Sequence, residues 1–300
     1  MQHATSVNVI LCILILSCGV IIADALYSTE RWSILDSIAD EGLITLERSL
    51  SSLDSLRPNS RPSCADPTPE DVPSCRTLER QILSSTVRIE IEAWISRPAG
   101  PKGSGLSEVR PTHGSGHGTV RDGRYLITHN HFDVPLPASG AASSITFGTV
   151  TFYAASGERL ALQAQPASLS VVRGGEETLL LDFGLVGDMG FFEAAGLASA
   201  DFKNWQTLPL QSGMEVAQVN WDGRTTHVQW VTIEAVVIGD DTPRLVLSNG
   251  VTRGASGGGV FWNGYHVANN WALVETVASD GGVRRQKSIA ALSQSPIPPP

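Results

Sequence analysis

The sequence predicts an all-β domain over its last three quarters, and three observations carry that prediction. From about Ser84 onward the apolar positions alternate with polar ones, as in Val87, Ile89, Ile91 and Ala93 set between Arg88, Glu90 and Glu92, the rhythm of a half-buried strand. Short runs of this kind recur between turn signals: Gly157, Gly174-Gly175, Asp222-Gly223 and Asn263-Gly264, the last a strong hairpin signal. No long stretch of helical period interrupts them. Many short strands without a convincing helix argue for a barrel or a sandwich.

The first quarter is of another kind. Val9 to Ala23 form an apolar run broken only by Ser17 and Gly19. That length suits the hydrophobic part of a signal peptide better than a membrane span, and Ala23-Asp24-Ala25 offers a small-x-small cleavage site. Against cleavage, no Lys or Arg precedes Arg31. Residues 1–25 are therefore expected to be a signal peptide or a membrane anchor, and either reading places the rest of the chain outside the cytoplasm, secreted or tethered at the membrane.

Leu35, Ile38, Gly42, Leu46, Leu50 and Leu53 follow three- and four-residue steps, which predicts an amphipathic helix within 26–57. It serves either as a stalk, pro-segment or oligomerising coil, or as a helix lying on the domain surface. Residues 58–83, rich in Pro, Ser and Asp at their start, are expected to be a linker. Cys64 and Cys75 flank its acidic, Pro-rich part and are placed to close a disulfide in an oxidising compartment.

Within the domain 84–300, strands are predicted at 145–153, 159–164, 178–186, 215–221, 226–237, 244–247, 260–262 and 266–273, and a Pro/Gly-rich loop over 97–116. His113 and His117, four apart in this Gly-rich region, are expected to be exposed loop histidines and not metal ligands, since no Cys or acidic partner lies nearby.

Composition narrows function. The 300 residues, 42% hydrophobic and 17% charged, suffice for one or two substantial cores. A net charge of −9 leaves no basic face, so nucleic acid is not an expected partner.

The chemically distinctive stretch is Arg253-Gly254-Ala255-Ser256-Gly257-Gly258-Gly259-Val260-Phe261. Glycines let the backbone approach a ligand closely and take positive φ. A serine in such a turn presents its hydroxyl outward, and the N–H groups of Gly254 and Ser256 are free to converge on one point: a nucleophile beside an oxyanion hole.

Gly254-x-Ser256-Gly257-Gly258 before a strand resembles the nucleophile motif of the trypsin-like (chymotrypsin-fold) serine peptidases. Tyr125-Leu126-Ile127-Thr128-His129-Asn130-His131-Phe132 is similar to that family's histidine motif, with His131 aligned as the base and His129 as its rival. Leu180-Leu181-Asp182-Phe183-Gly184-Leu185-Val186 is similar to its third motif, an Asp leading an apolar strand. The order His, Asp, Ser is the family's order. Ala255 stands where secreted digestive members carry the Asp that pairs with a newly cut N-terminus, so the site resembles the bacterial housekeeping branch instead.

The resemblance implies two antiparallel β-barrels with a boundary near 190–210, preceded by the N-terminal helical segment, and hydrolysis of peptide bonds by His131, Asp182 and Ser256 through an acyl-enzyme. It implies no cofactor and no metal. It puts Gly250 at the floor of the specificity pocket, with the strand carrying Asn269 and Asn270 as a wall; without a carboxylate at either, a small or apolar residue is the expected preference of a protein or peptide substrate. The alternative is a barrel retained as a non-catalytic binding module.

Overall fold

A computed structural model describes residues 63–98, 108–138, 143–162, 169–174, 177–238, 243–277 and 284–292. All of these belong to one compact unit, Arg61–Pro300. The apolar run 9–23, the helix predicted within 26–57 and the Pro-rich tail lie outside the described residues. Among the described residues no helix is long and apolar enough to cross a membrane.

The domain is two β-sheets, each wrapped around its own core. The first joins β1 (Thr86–Arg97), β2 (Glu108–Arg121), β3 (Tyr125–His129), β4 (Ser144–Tyr153), β5 (Ser170–Gly174) and β6 (Thr178–Asp182) in the order β4-β1-β2-β3-β6-β5, an open half-barrel. A small ribbon, β7 (Leu185–Val186) with β8 (Met189–Gly190), follows. The second contains β9 (Asp201–Phe202), β10 (Glu215–Trp221), β11 (Thr226–Val237), β12 (Arg244–Leu247), β13 (Gly259–Trp262), β14 (Tyr265–Val277) and β15 (Arg284–Leu292). Its order is β13-β10-β11-β12-β15-β14, and β13 also pairs with β14, which closes the barrel and removes its edges. This is a chymotrypsin-like arrangement.

The two-residue period predicts β1 well: Val87, Ile89, Ile91, Ala93 and Ile95 all point into the first core. There they meet a group of four rings, Phe152, Phe183, Phe191 and Phe192, with centroids 5.0–5.6 Å apart. Such pairs contribute about 0.5–1.5 kcal/mol each beyond the area they bury. The second core is aliphatic, built from Val216, Val231, Ile233, Leu245, Leu247, Val260 and Val267.

Three expectations need correction. The stretch 97–116 is not all loop: β2 starts at Glu108, because pairing with β1 from Arg97↔Glu108 to Thr86↔Thr119 satisfies the backbone of its glycines. Of the strand expected at 159–164 the described residues 159–162 form none, and there Arg159 alone bridges to Tyr153. The linker 58–83 contains a helix, α1 (Val72–Ser84), with a proline in its first turn, where the missing N–H costs nothing. Ile82 and Leu78 of α1 cover Ala217, Val219 and Phe261 on the outside of the second barrel, and Trp230 Nε1 donates to Glu79 (2.8 Å). Cys64 and Cys75 are joined by a disulfide. Beside it, Glu215 accepts hydrogen bonds from the Cys64 and Ala65 N–H groups (2.7 and 2.8 Å), fastening the segment to β10.

Candidate active site

The serine turn hangs between the two sheets. It enters from β12 through Val251 and leaves into β13, and its inner side is pressed on β2 and β3. Gly257, at φ +78°, lies so close that a Cβ there would fall 2.3 Å from the His117 carbonyl, 2.7 Å from the His129 nitrogen and 2.8 Å from Thr128 Oγ1. Only glycine fits both the torsion and the gap. The backbone N–H of His117 donates to the Ser256 carbonyl (2.7 Å), and the Gly257 N–H to the Asn270 carbonyl (2.8 Å). The turn is thereby seated against His117, Thr128 and His129.

Several of the turn's donors are claimed. Thr252 N–H is taken by Asn220 Oδ1, Ala255 N–H by the Thr252 carbonyl and Gly258 N–H by the Ala255 carbonyl. The N–H groups of Gly254 and Ser256 donate to no described residue, and neither is fully buried. Gly254 has φ +94°, with the Trp221 ring where a side chain would stand. Two unclaimed N–H groups one residue apart, beside a half-buried hydroxyl, form a site able to receive an oxyanion.

The two histidines of β3 and its end are not equivalent. His129 is 2% exposed, stacked on Phe132 and 5.2 Å from the His131 ring. Its Nδ1 accepts the His131 N–H (2.8 Å), so its Nε2 carries the proton and donates to the Ser115 carbonyl (3.2 Å). Burial, then the neighbouring His131, lowers its pKa to about 3. Both nitrogens of His129 are committed to backbone, which holds the ring as a fixed neutral strut. His131 is exposed as a residue, yet its ring is flanked by His129 and by Trp271 at 6.2 Å, and the loss of water around it lowers its pKa to about 4. Neither imidazole is hydrogen-bonded to Ser256 Oγ in this state; such contacts often tighten only on substrate binding.

The structure does not bring Asp182 to the histidines. Antiparallel pairing of β3 with β6 sets Tyr125 opposite Asp182 and His129 opposite Thr178, so the acid sits at the far end of the strand pair, roughly 13 Å away along the strand. Its oxygens are bound by Arg124 Nε (2.6 Å), by Arg124 Nη2 and by the Gly184 N–H (2.8 Å). The acidic residue whose backbone adjoins this segment is Glu177, one residue before β6. Its carbonyl accepts the Asn130 N–H (3.3 Å), and its buried carboxylate is paired with Arg244 at the start of β12. The Arg244 guanidinium lies 4.3 Å over the ring of Trp271, which in turn neighbours His131. In the sequence Glu177 directly leads Thr178-Leu179-Leu180-Leu181, the strand that pairs with the histidine strand.

The predicted pocket wall also needs correction. Asn269 and Asn270 are each 1% exposed and face the barrel interior or the turn itself. Asn269 Oδ1 accepts from His266 (3.1 Å); Asn270 Nδ2 donates to the Val219 and Ala255 carbonyls (2.6 and 3.2 Å). They build the turn's support instead of a cavity wall. Gly250 is packed against the side chains of Leu273 and Gln286, where a Cβ would meet atoms at 2.6 and 2.7 Å. His117 differs most from expectation: it is wholly buried in β2. Its Nδ1 lies 2.8 Å from the Gly254 carbonyl and its Nε2 2.8 Å from Thr226 Oγ1.

No family model and no curated protein matches the chain. Among solved structures it is similar to the HtrA-type protease AlgW with a bound decapeptide, at 15% identity over 71% of this chain and 62% of that one, with a TM-score of 0.46. It is also similar to the active form of the Rv3671c protease from M. tuberculosis, at 18% identity over 79% of this chain and 89% of that one, with a TM-score of 0.45. The chain thus spans about three fifths of the length of AlgW.

Proposed function

We propose that this chain is a serine endopeptidase in which Ser256, His131 and Glu177 share the chemistry. Ser256 Oγ attacks a peptide carbonyl as His131 takes its proton; His131 then returns that proton to the leaving amine, and a water repeats the sequence in reverse to release the acyl group. The acidic member is Glu177 and not Asp182, since Glu177 sits at the histidine end of the β3–β6 pair, its carbonyl bonded to the Asn130 N–H, while Asp182 sits at the other end. It orients the imidazole and offsets its charge as the imidazolium forms.

The observation that carries this reading is the pair of unclaimed N–H groups at Gly254 and Ser256, in a turn whose other named donors are satisfied. Each such donor contributes on the order of 3 kcal/mol when aimed at a developing oxyanion. Gly250 and its neighbours Leu273 and Gln286 carry no charge, which supports a small or apolar side chain at the cleavage point. The Cys64–Cys75 disulfide supports an oxidising, extracytoplasmic setting.

A fluorophosphonate probe tests the reading. The folded wild type is expected to be labelled, and Ser256→Ala to lose the label. A folded wild type that takes no label, alongside a Ser256→Ala protein indistinguishable from it, overturns hydrolysis and leaves a barrel that binds without reacting.

A further inference from the structure

His117 lies outside the hydrolytic residues, and yet it holds the serine turn at two points. Its main-chain N–H donates to the Ser256 carbonyl (2.7 Å) and its side chain reaches the Gly254 carbonyl (2.8 Å). A carbonyl accepts only, so Nδ1 carries the proton; Nε2 then accepts the Thr226 hydroxyl (2.8 Å) at the start of β11. Thr226 is itself tied down, its N–H donating to the Ala155 carbonyl (2.8 Å). The ring is wholly buried, which keeps it neutral and so keeps this tautomer. Gly116, the residue before it, leaves out a side chain that would crowd the turn: a Cβ there would fall 2.7 Å from the Ser256 carbonyl.

We propose that His117 is the positioning residue of the oxyanion turn, holding the Gly254–Ala255 peptide so that the N–H groups of Gly254 and Ser256 stay convergent. This rests on the serine-peptidase reading above. The physical need for a holder is local. Gly254 lacks the Cβ that would restrict its torsions, so the turn keeps one arrangement only if something outside it grips the chain at that residue. Two groups do. Trp221, at the end of β10, fills the space beside the Gly254 α-carbon and is covered by the Arg88 guanidinium at 5.0 Å; His117 takes the carbonyl. The Ser256 N–H belongs to the next peptide, whose Ala255 carbonyl is held by Gly258 and Asn270. With His117 in place, both peptides around Ala255 are anchored, one from the first sheet and one from the second. Assembly of the oxyanion site is thereby made to depend on the docking of the two sheets.

The experiment compares wild type with His117→Leu, His117→Asn and Thr226→Val. Asn keeps a donor near the Nδ1 position; Leu has none; Thr226→Val removes only the hydroxyl that fixes the tautomer. Hydrogen exchange over residues 250–258 reads the turn directly, whether or not the protein is an enzyme. It is expected to rise in His117→Leu, less in Thr226→Val, and to return towards wild type in His117→Asn. In the same proteins, kcat for a peptide substrate and the fluorophosphonate labelling rate are expected to fall roughly ten- to a hundredfold in His117→Leu with KM little changed, the size of loss that misplacement of a reacting geometry produces. Unchanged exchange at 250–258 in folded His117→Leu and Thr226→Val overturns the proposal. A wild type that takes no label removes the hydrolytic reading, while the exchange comparison still decides the role of His117.

Discussion

Asp182 is bound through both carboxylate oxygens to Arg124, at the end of the β3–β6 pair opposite to His129. The pairing assigns this acid to the architecture of the first sheet: it joins the turn before β3 to the turn after β6, where the Gly184 N–H adds a third bond. At the histidine end of that pair stands Glu177, ion-paired with Arg244 from the second sheet.

The two acids therefore have opposite expected phenotypes. Asp182→Asn should keep a peptidase rate within about threefold of wild type while losing about 1–3 kcal/mol of stability, the usual worth of a hydrogen bond to a charged group. Glu177→Gln should lower kcat by a factor on the order of 10⁴, as loss of the orienting carboxylate does in comparable triads. Steady-state kinetics and chemical denaturation on the two variants check this. An inactive, fully stable Asp182→Asn would return the acid role to residue 182.

Much of this was legible in the sequence, and what was missed has a common cause. Alternation marks a strand when one face is buried, so β1, β10 and β11 were found. The glycine-rich β2 has few side chains to alternate, because its neighbours Ser256, His129 and Leu126 occupy the space a Cβ would need. A strand shaped by what packs against it reads locally as a loop. His117 was misplaced for the same reason, and the position of Asp182 at the far end of the β3–β6 pair was not legible, because motif spacing does not show which end of a strand pair an acid occupies. The serine turn was found because its requirements, glycine at positive φ beside a hydroxyl, are written in consecutive residues.

Three buried histidines make the fold acid-sensitive. Burial lowers the pKa of His117 to about 4 and of His129 and His266 to about 3, against 6.5 in an unfolded chain. Below 6.5 the unfolded state takes up protons that the folded state does not, so stability falls as pH drops through the window from 6.5 towards 4. At pH 5 each of the three contributes a loss of about 2 kcal/mol relative to neutral pH. Urea denaturation at pH 7 and pH 5 should show this difference, with His266→Asn reducing it. For His131 the consequence is kinetic: a base with a pKa of about 4 stays neutral well below pH 6.5, so kcat/KM should hold its plateau to lower pH than an ordinary imidazole allows, as long as the protein remains folded. A stability independent of pH between 7 and 5 would show that these rings are not held neutral.

Two glycines with almost the same torsion separate backbone preference from close approach. Gly213 has φ +85° and open space where a Cβ would go; Gly257 has φ +78° and three atoms of β2 and β3 within 2.8 Å of it. Gly213→Ala should cost only the left-handed penalty of about 1–2 kcal/mol and leave catalysis alone. Gly257→Ala adds a collision with backbone that cannot turn aside, the His117 carbonyl at 2.3 Å. Either the turn lifts from the first sheet, carrying Ser256 away from His131, or the two sheets part. Both routes predict loss of fluorophosphonate labelling together with a larger drop in stability than Gly213→Ala produces. Equal stability and undiminished labelling in the two alanine variants would mean that the serine turn is not seated on β2 and β3, and that the approach of residue 256 to the histidine segment has some other origin.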